Sequence, residues 1–192
     1  MGAVPTVTLG VDLGGTKIQV VAVANRRVVG EARHATPRTD AKAVIAEIVS
    51  ATREASSSAG ASIADVRAIG IGTPGTVDTA TGHVSASSNV PGFMEDVALG
   101  PAVSEAFSGV PVTVDNDVRV ATMGEFRRGA GRPYRNLLGV FVGTGVGGGL
   151  ILEGRLRRGR AAPARSGTPS SSPAPVNAPA ATAVASRPTL VD

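Results

Sequence analysis

An α/β sheet with an antiparallel edge meander and parallel inner strands is predicted by three features of this 192-residue chain. Apolar, β-branched runs and helical periods follow one another in the order β-β-β-α-β-α-β-α. The fourth strand, residues 66–71, lacks polar alternation, as a strand covered on both faces does. The first two strands are joined by Asp12-Leu13-Gly14-Gly15-Thr16-Lys17, a tight glycine turn with a carboxylate at the end of its leading strand.

Each element follows from its residues. Val7-Thr8-Leu9-Gly10-Val11 and Ile18-Gln19-Val20-Val21-Ala22-Val23 are apolar flanks of the glycine turn. Asn25-Arg26-Arg27 is a polar turn into a third strand over residues 28–35, which Thr36-Pro37 ends because Pro removes a ladder donor. Residues 40–59 read as a helix capped by Thr39 or Asp40, with Val44, Ile45, Ile48, Val49, Thr52 and Ala55 on one face and Gly60 as its stop. A Gly/Pro loop over residues 70–78 leaves the fourth strand, and residues 82–91 are turn-rich and polar. Gly100-Pro101 opens a short helix to about Phe107, stopped by Gly109. Residues 110–114 form a short buried strand, Asp115-Asn116-Asp117 follow, and a helix runs to about Arg128. Then comes a second hairpin: strand 137–142, glycine turn 143–149, strand 150–152. It resembles the first hairpin and reads as the opening of a second, similar lobe.

Hydrophobic residues make up 42% of the chain and aromatics 3%, so a core of Val, Ile, Leu and Ala is expected. With no Cys, disulfides and thiolate metal sites are excluded and zinc is not expected; the lack is neutral to mildly favourable for a reducing cytosol, and the cytoplasm is the expected compartment. The net charge is +4 and only residues 155–160 are densely basic, which is no nucleic-acid footprint. The N-terminus does not read as a signal peptide, and the uncharged residues 137–152 are too short and glycine-rich for a membrane span. From residue 161 the chain is an Ala/Pro/Ser mixture without periodicity, and disorder is predicted over residues 161–192. The expected domains are thus a lobe over 1–135, an opening hairpin over 136–160 and a tail over 161–192.

Three constellations carry chemistry. In the first turn, Gly14 and Gly15 let the backbone approach a ligand and form an anion-binding concavity. Thr16 and Lys17 add donors, and Asp12 is placed to hold Mg²⁺ through water. An ordinary hairpin with a surface lysine is the alternative reading. Asn116 and Asp117 lie where a strand ends and a helix begins. They read either as helix caps or as a site at the carboxyl edge of the sheet, with Asp117 accepting a proton from a substrate hydroxyl that attacks a phosphoryl group. The turn containing Gly143, Thr144, Gly145, Gly147 and Gly148 lacks the following helix of a Rossmann turn and the Lys-Ser/Thr of a Walker loop. As a hairpin turn paired with the first, it could donate N–H groups and the Thr144 hydroxyl to a phosphate. His34 and His83 have no partner at metal-ligand spacing and read as surface or strand residues.

These pieces in this order resemble the ROK family (repressor, open reading frame, kinase), within the actin/hexokinase/Hsp70 superfamily. The carrying stretches are Asp12 to Lys17, Gly70 to Val77, Val114 to Asp117 with Ala121, Gly124 and Glu125, and Gly143 to Gly149. The resemblance implies a ribonuclease-H-like actin/hexokinase-type ATPase lobe, followed by the first hairpin of an incomplete second lobe. It implies that the two glycine turns hold ATP phosphates, that Asp12 contacts Mg²⁺ and that Asp117 is the general base. It also implies that Gly75, Ser88, Asn89, Asn116 and Asp117 meet the sugar. The implied reaction moves the γ-phosphoryl of ATP to a sugar hydroxyl, commonly the 6-hydroxyl of glucose.

The family pattern is also broken. Its Gly-Glu-x-Gly-His motif and its cysteine-rich zinc site are absent, and the Ala/Pro/Ser tail follows Arg160 directly. A truncated or frameshifted member with impaired turnover is therefore expected, and the second hairpin, without its lobe, is expected to self-associate or dimerise. A sugar-responsive transcription regulator, the family's other branch, is disfavoured because the first strand starts within ten residues of Met1, leaving no room for a DNA-binding domain before it. A non-catalytic remnant that still binds sugar or nucleotide is the third reading.

Overall fold

The computed structural model describes residues 6–142, 146–158 and the strand 182–184. The chain packs as two compact units, Met1–Asp117 and Val118–Asp192.

The first unit is built on a five-stranded sheet of order β3-β2-β1-β4-β7. Strands β1 (Val7–Leu13), β2 (Lys17–Ala24) and β3 (Arg27–Ala35) form the antiparallel meander. Strands β4 (Val66–Thr73) and β7 (Val112–Asn116) run parallel to β1. The register sets Asp12 beside Gly72 and Gly72 beside Asp115, so the carboxyl ends of three parallel strands finish on one line.

Helix α1 (Ala41–Ser58) is capped by Asp40, whose Oδ1 accepts from the Ala43 N–H at 2.8 Å. Its buried residues include Val44, Ile48, Thr52 and Ala55, while Ile45 and Val49 pack partly buried against the same core. The helix also closes the edge of the sheet. Gly30 in β3 passes so close that an added Cβ would stand 2.4 Å from the Ala55 carbonyl oxygen. The outward-facing N–H of Glu31 donates to the Ser58 hydroxyl at 3.0 Å. An edge strand with occupied donors is a poor template for another strand.

Helix α2 (Leu99–Ala106) packs beside β7, and a short ribbon of β5 (Thr76–Asp78) and β6 (His83–Ser85) lies between β4 and α2 in the chain. The ribbon falls in the Gly/Pro-rich stretch that reads as loop and turn, because strands of three residues are too short to show a period. Two expectations are corrected here. The core is not aliphatic alone: Phe93 and Phe107 are completely buried and are its largest side chains. A low aromatic total says nothing about where the few rings go, and each fills space that no Val or Leu could. Strand β4 is not covered on both faces throughout: Arg67 is exposed, and Ala68 and Gly70 are half-buried.

The second unit holds α3 (Asp117–Arg128, all but its first residue) and a four-stranded sheet of order β10-β9-β8-β11. Its strands are β8 (Leu137–Val142), β9 (Val146–Leu152), β10 (Arg155–Arg157) and β11 (Thr182–Val184). Strand β9 starts at Val146, so Gly147, Gly148 and Gly149 belong to a strand and not to the glycine turn expected through residue 149. The reason is α3. Gly139 and Gly149 are paired in register, and a Cβ on either would come within 2.5 or 2.2 Å of Thr122 Oγ1. Gly147 lies against Val118 in the same way. The glycines flatten one face of the hairpin so that the helix can lie on it. The disorder expected over the tail is corrected at Thr182–Val184, which pairs with the free edge of β8. Thr and Val favour extended backbone, and an open edge offers unpaired donors and acceptors. The rest of the tail lies outside the described residues.

Candidate functional site

The glycine turn after β1 is held from beneath. Gly14 N–H donates to the Lys17 carbonyl at 2.9 Å, closing the hairpin. Thr36, buried just past the end of β3, donates its hydroxyl to the Gly14 carbonyl at 2.7 Å and its N–H to the Thr16 carbonyl at 3.1 Å. Thr16 and Lys17 are exposed on the turn.

The loop between β6 and α2 also meets this turn. A Cβ on Gly15 would stand 2.4 Å from the carbonyl oxygen of Asn89, so only glycine lets the two backbones meet. Ser88 and Asn89 are exposed beside Ser87, which is buried. The loop is strapped at its root by Ala86 N–H to Met94 O at 3.1 Å and Ser87 N–H to Phe93 O at 3.0 Å. Gly75, at φ +103°, presses on the same loop: a Cβ there would be 2.8 Å from the Ser87 Cβ. The Gly75 carbonyl accepts from Asn116 Nδ2 at 3.3 Å. Asn116 N–H in turn donates to Asp115 Oδ1 at 2.8 Å, which fixes the peptide at the junction of β7 and α3.

Asp117 is half-buried at that junction and lies within electrostatic reach of Asp12. The Asp12 carboxyl titrates above the usual Asp value. Partial removal of the carboxyl from water is the main cause, the Lys17 ammonium opposes it, and the negative Asp117 adds to it. Within the first unit, then, Gly15 meets Asn89, Gly75 meets Ser87 and Asn116, and Asp12 feels Lys17 and Asp117.

The remaining candidates lie elsewhere. Gly143, Thr144 and Gly145 fall outside the described residues. Gly147 and Gly148 lie in β9, opposite Phe141 and Val140. Thr36 is a member of the site that reading the sequence did not find. Its position before Pro37 marked only the end of a strand, and no local pattern ties residue 36 to residue 14. His34, read as a surface or strand residue, lies in β3 and is held between Glu47 and Glu54 of α1, the latter at 3.0 Å. His83 pairs with Asp96 at 2.7 Å. Among the described residues no group of three His, Cys, Asp or Glu side chains could hold a metal ion.

Known proteins resemble this chain in sequence and fold. Glucokinase of Streptomyces coelicolor is 34% identical over 153 residues, covering 79% of this chain and 45% of that protein. N-acetyl-D-glucosamine kinase of Yersinia enterocolitica is 36% identical over 155 residues, covering 79% and 48%. Among solved structures, a ROK family glucokinase from Streptomyces griseus, in complex with glucose and AMPPNP, superposes with a TM-score of 0.70 at 38% identity, over 80% of this chain and 47% of that one. A ROK family transcriptional regulator, a homolog of E. coli MLC protein, superposes with a TM-score of 0.71 at 25% identity, over 80% and 38%. The fold is therefore the mixed α/β fold of the ROK hexokinases. The model of the ROK family matches residues 8–165, and the chain belongs to that family. It spans about half the length of the curated relatives it matches.

Proposed function

We propose that this chain carries the sugar and general-base side of an ATP-dependent sugar kinase of glucokinase type. The reaction is transfer of the γ-phosphoryl of ATP to a hexose hydroxyl, with the 6-hydroxyl of glucose as first candidate. One observation carries the reading: Asp117 sits beside Asn116 at the carboxyl end of β7 and within electrostatic reach of Asp12 on the glycine turn. A sugar held by Asn116, Gly75, Ser88 and Asn89 would bring a hydroxyl to Asp117, which takes its proton as the oxygen attacks phosphorus. The N–H groups of the Gly14-Gly15 turn, with Thr16 and Lys17, would face the phosphates.

Mg²⁺ fits the donors that are present. One strand-end carboxylate, Asp12, with no third ligand nearby among the described residues, suits an ion that keeps its waters and takes phosphate oxygens. Bound there, it would neutralise phosphate charge. Gly143, Thr144 and Gly145 remain the proposed second phosphate turn, with Gly147 and Gly148 in the strand that follows it.

A transition state clamped from two lobes is positioned by both, and this chain spans about half the length of its relatives, so weak turnover is proposed for these 192 residues taken alone. The cytoplasm is the proposed compartment. Self-association is proposed through Leu138, Leu150 and Leu152, which lie exposed on the face of the β8–β9 hairpin away from α3.

Calorimetric titration with ATP and with glucose, beside a coupled ADP-release assay, tests the reading. Binding of both ligands supports it, and absence of both refutes it. N-acetylglucosamine run in parallel decides between the two sugars named by the relatives. The likeness to a regulator keeps a second reading open, and sequence-specific DNA binding in a mobility-shift assay would favour it.

A further inference from the structure

We propose that Thr36 is the positioning residue of the phosphate turn: its buried hydroxyl holds the Gly14 carbonyl down and so aims the Gly15 N–H at the phosphate. The inference rests on the reading of the turn as a phosphate site. In a trans peptide the C=O of one residue and the N–H of the next point in opposite directions. The Gly14 carbonyl points at Thr36 Oγ1, 2.7 Å away, so the Gly15 N–H points to the opposite side of the turn. Thr36 also donates its own N–H to the Thr16 carbonyl at 3.1 Å, so one residue ties two carbonyls of the turn to the same side.

The geometry is that of a built support. Thr36 is only 4% exposed, and its hydroxyl has little competition from water for the Gly14 oxygen. A glycine pair left to itself samples both signs of φ and would present its amides in many directions. Ordering such a turn at the moment of binding costs conformational entropy. A hydrogen bond from a rigid strand end removes that cost beforehand. The hairpin bond from Gly14 N–H to Lys17 O fixes the mouth of the turn but not the orientation of the Gly14–Gly15 peptide, and Thr36 supplies the hydrogen bond that does.

Tripolyphosphate and glucose serve as separate probes, measured by calorimetry on the full chain and by ¹⁵N NMR of the Gly15 amide. Thr36→Val keeps the shape and removes the hydroxyl, and it should weaken tripolyphosphate binding about tenfold. Its glucose affinity should stay within about twofold of the unsubstituted protein, since the hydroxyl's hydrogen bond runs to Gly14, which is not among the residues proposed to meet the sugar. Thr36→Ser should restore phosphate binding. In the unsubstituted protein, tripolyphosphate should shift the Gly15 amide resonance far more than that of Gly10 in mid-strand. The inference is overturned if Thr36→Val binds tripolyphosphate as well as the unsubstituted protein, if it loses both ligands equally, or if Thr36→Ser fails to rescue. Should Thr36→Val not fold, an unmoved Gly15 amide in the unsubstituted protein overturns it alone. If that protein binds neither tripolyphosphate nor ATP, the phosphate reading of the turn falls, and this inference with it.

Discussion

Gly15 and Asn89 meet backbone to backbone: a Cβ on the glycine would stand 2.4 Å from the asparagine carbonyl oxygen. The turn proposed for phosphate and the loop proposed for sugar therefore share a contact with no slack. Gly15→Ala must push one of them aside, at about 1–3 kcal/mol. Calorimetry should show weaker binding of both tripolyphosphate and glucose. Unchanged affinity for both would mean that the loop yields freely.

The raised titration of Asp12 gives a local readout of Asp117. Removing the neighbouring charge in Asp117→Asn should lower the Asp12 pKa, because one of the forces resisting its ionisation is gone. Lys17→Met should raise it further, since the opposing cation is lost. Carboxyl ¹³C NMR over a pH series reads both. An Asp12 titration indifferent to residue 117 would place the two groups too far apart for a shared phosphoryl centre.

His34 makes the docking of α1 on β3 depend on pH. Its imidazole is held between Glu54 and Glu47, and these hydrogen bonds push its pKa above the ordinary value. A group whose folded pKa is raised stabilises the fold fully below its unfolded pKa, about 6.5, and loses that contribution as pH rises through the folded value. Thermal melts of the unsubstituted protein and His34→Gln should thus differ most near about pH 6 and draw together as the pH rises through the raised folded pKa. A gap that widens with pH would contradict the assigned sign.

Ser87 offers a stabilising substitution. The residue is 2% exposed, and its hydroxyl has no hydrogen-bond partner among the described residues. Ser87→Ala removes an unsatisfied buried group and keeps the Cβ that rests on Gly75. Urea unfolding should show a gain of about 1 kcal/mol. A loss of that size would mean that the hydroxyl bonds to a buried water or to a partner outside the described residues.

Much of this was legible in one dimension. The meander, the capped helix α1 and the strand-to-helix step at Asn116 and Asp117 are local patterns of period, cap and turn, and the structure has them. What could not be read were features made by distant residues meeting. The glycines of β9 look like a loop because their purpose is α3, which lies on them through Thr122 and Val118. The three-residue strands β5 and β6 exist only because they pair with each other.

By itself the sequence determined the order of the longer elements, the family and the residue types at the turn and at the end of β7, because these depend on neighbours along the chain. Only the tertiary structure decided that Thr36 supports the Gly14 carbonyl, that Asn89 closes on Gly15 and that Asp117 feels Asp12. Hydrogen bonds and close contacts act over a few ångströms of space. The pairs they join here are separated by tens of residues in the chain, so no local pattern records them.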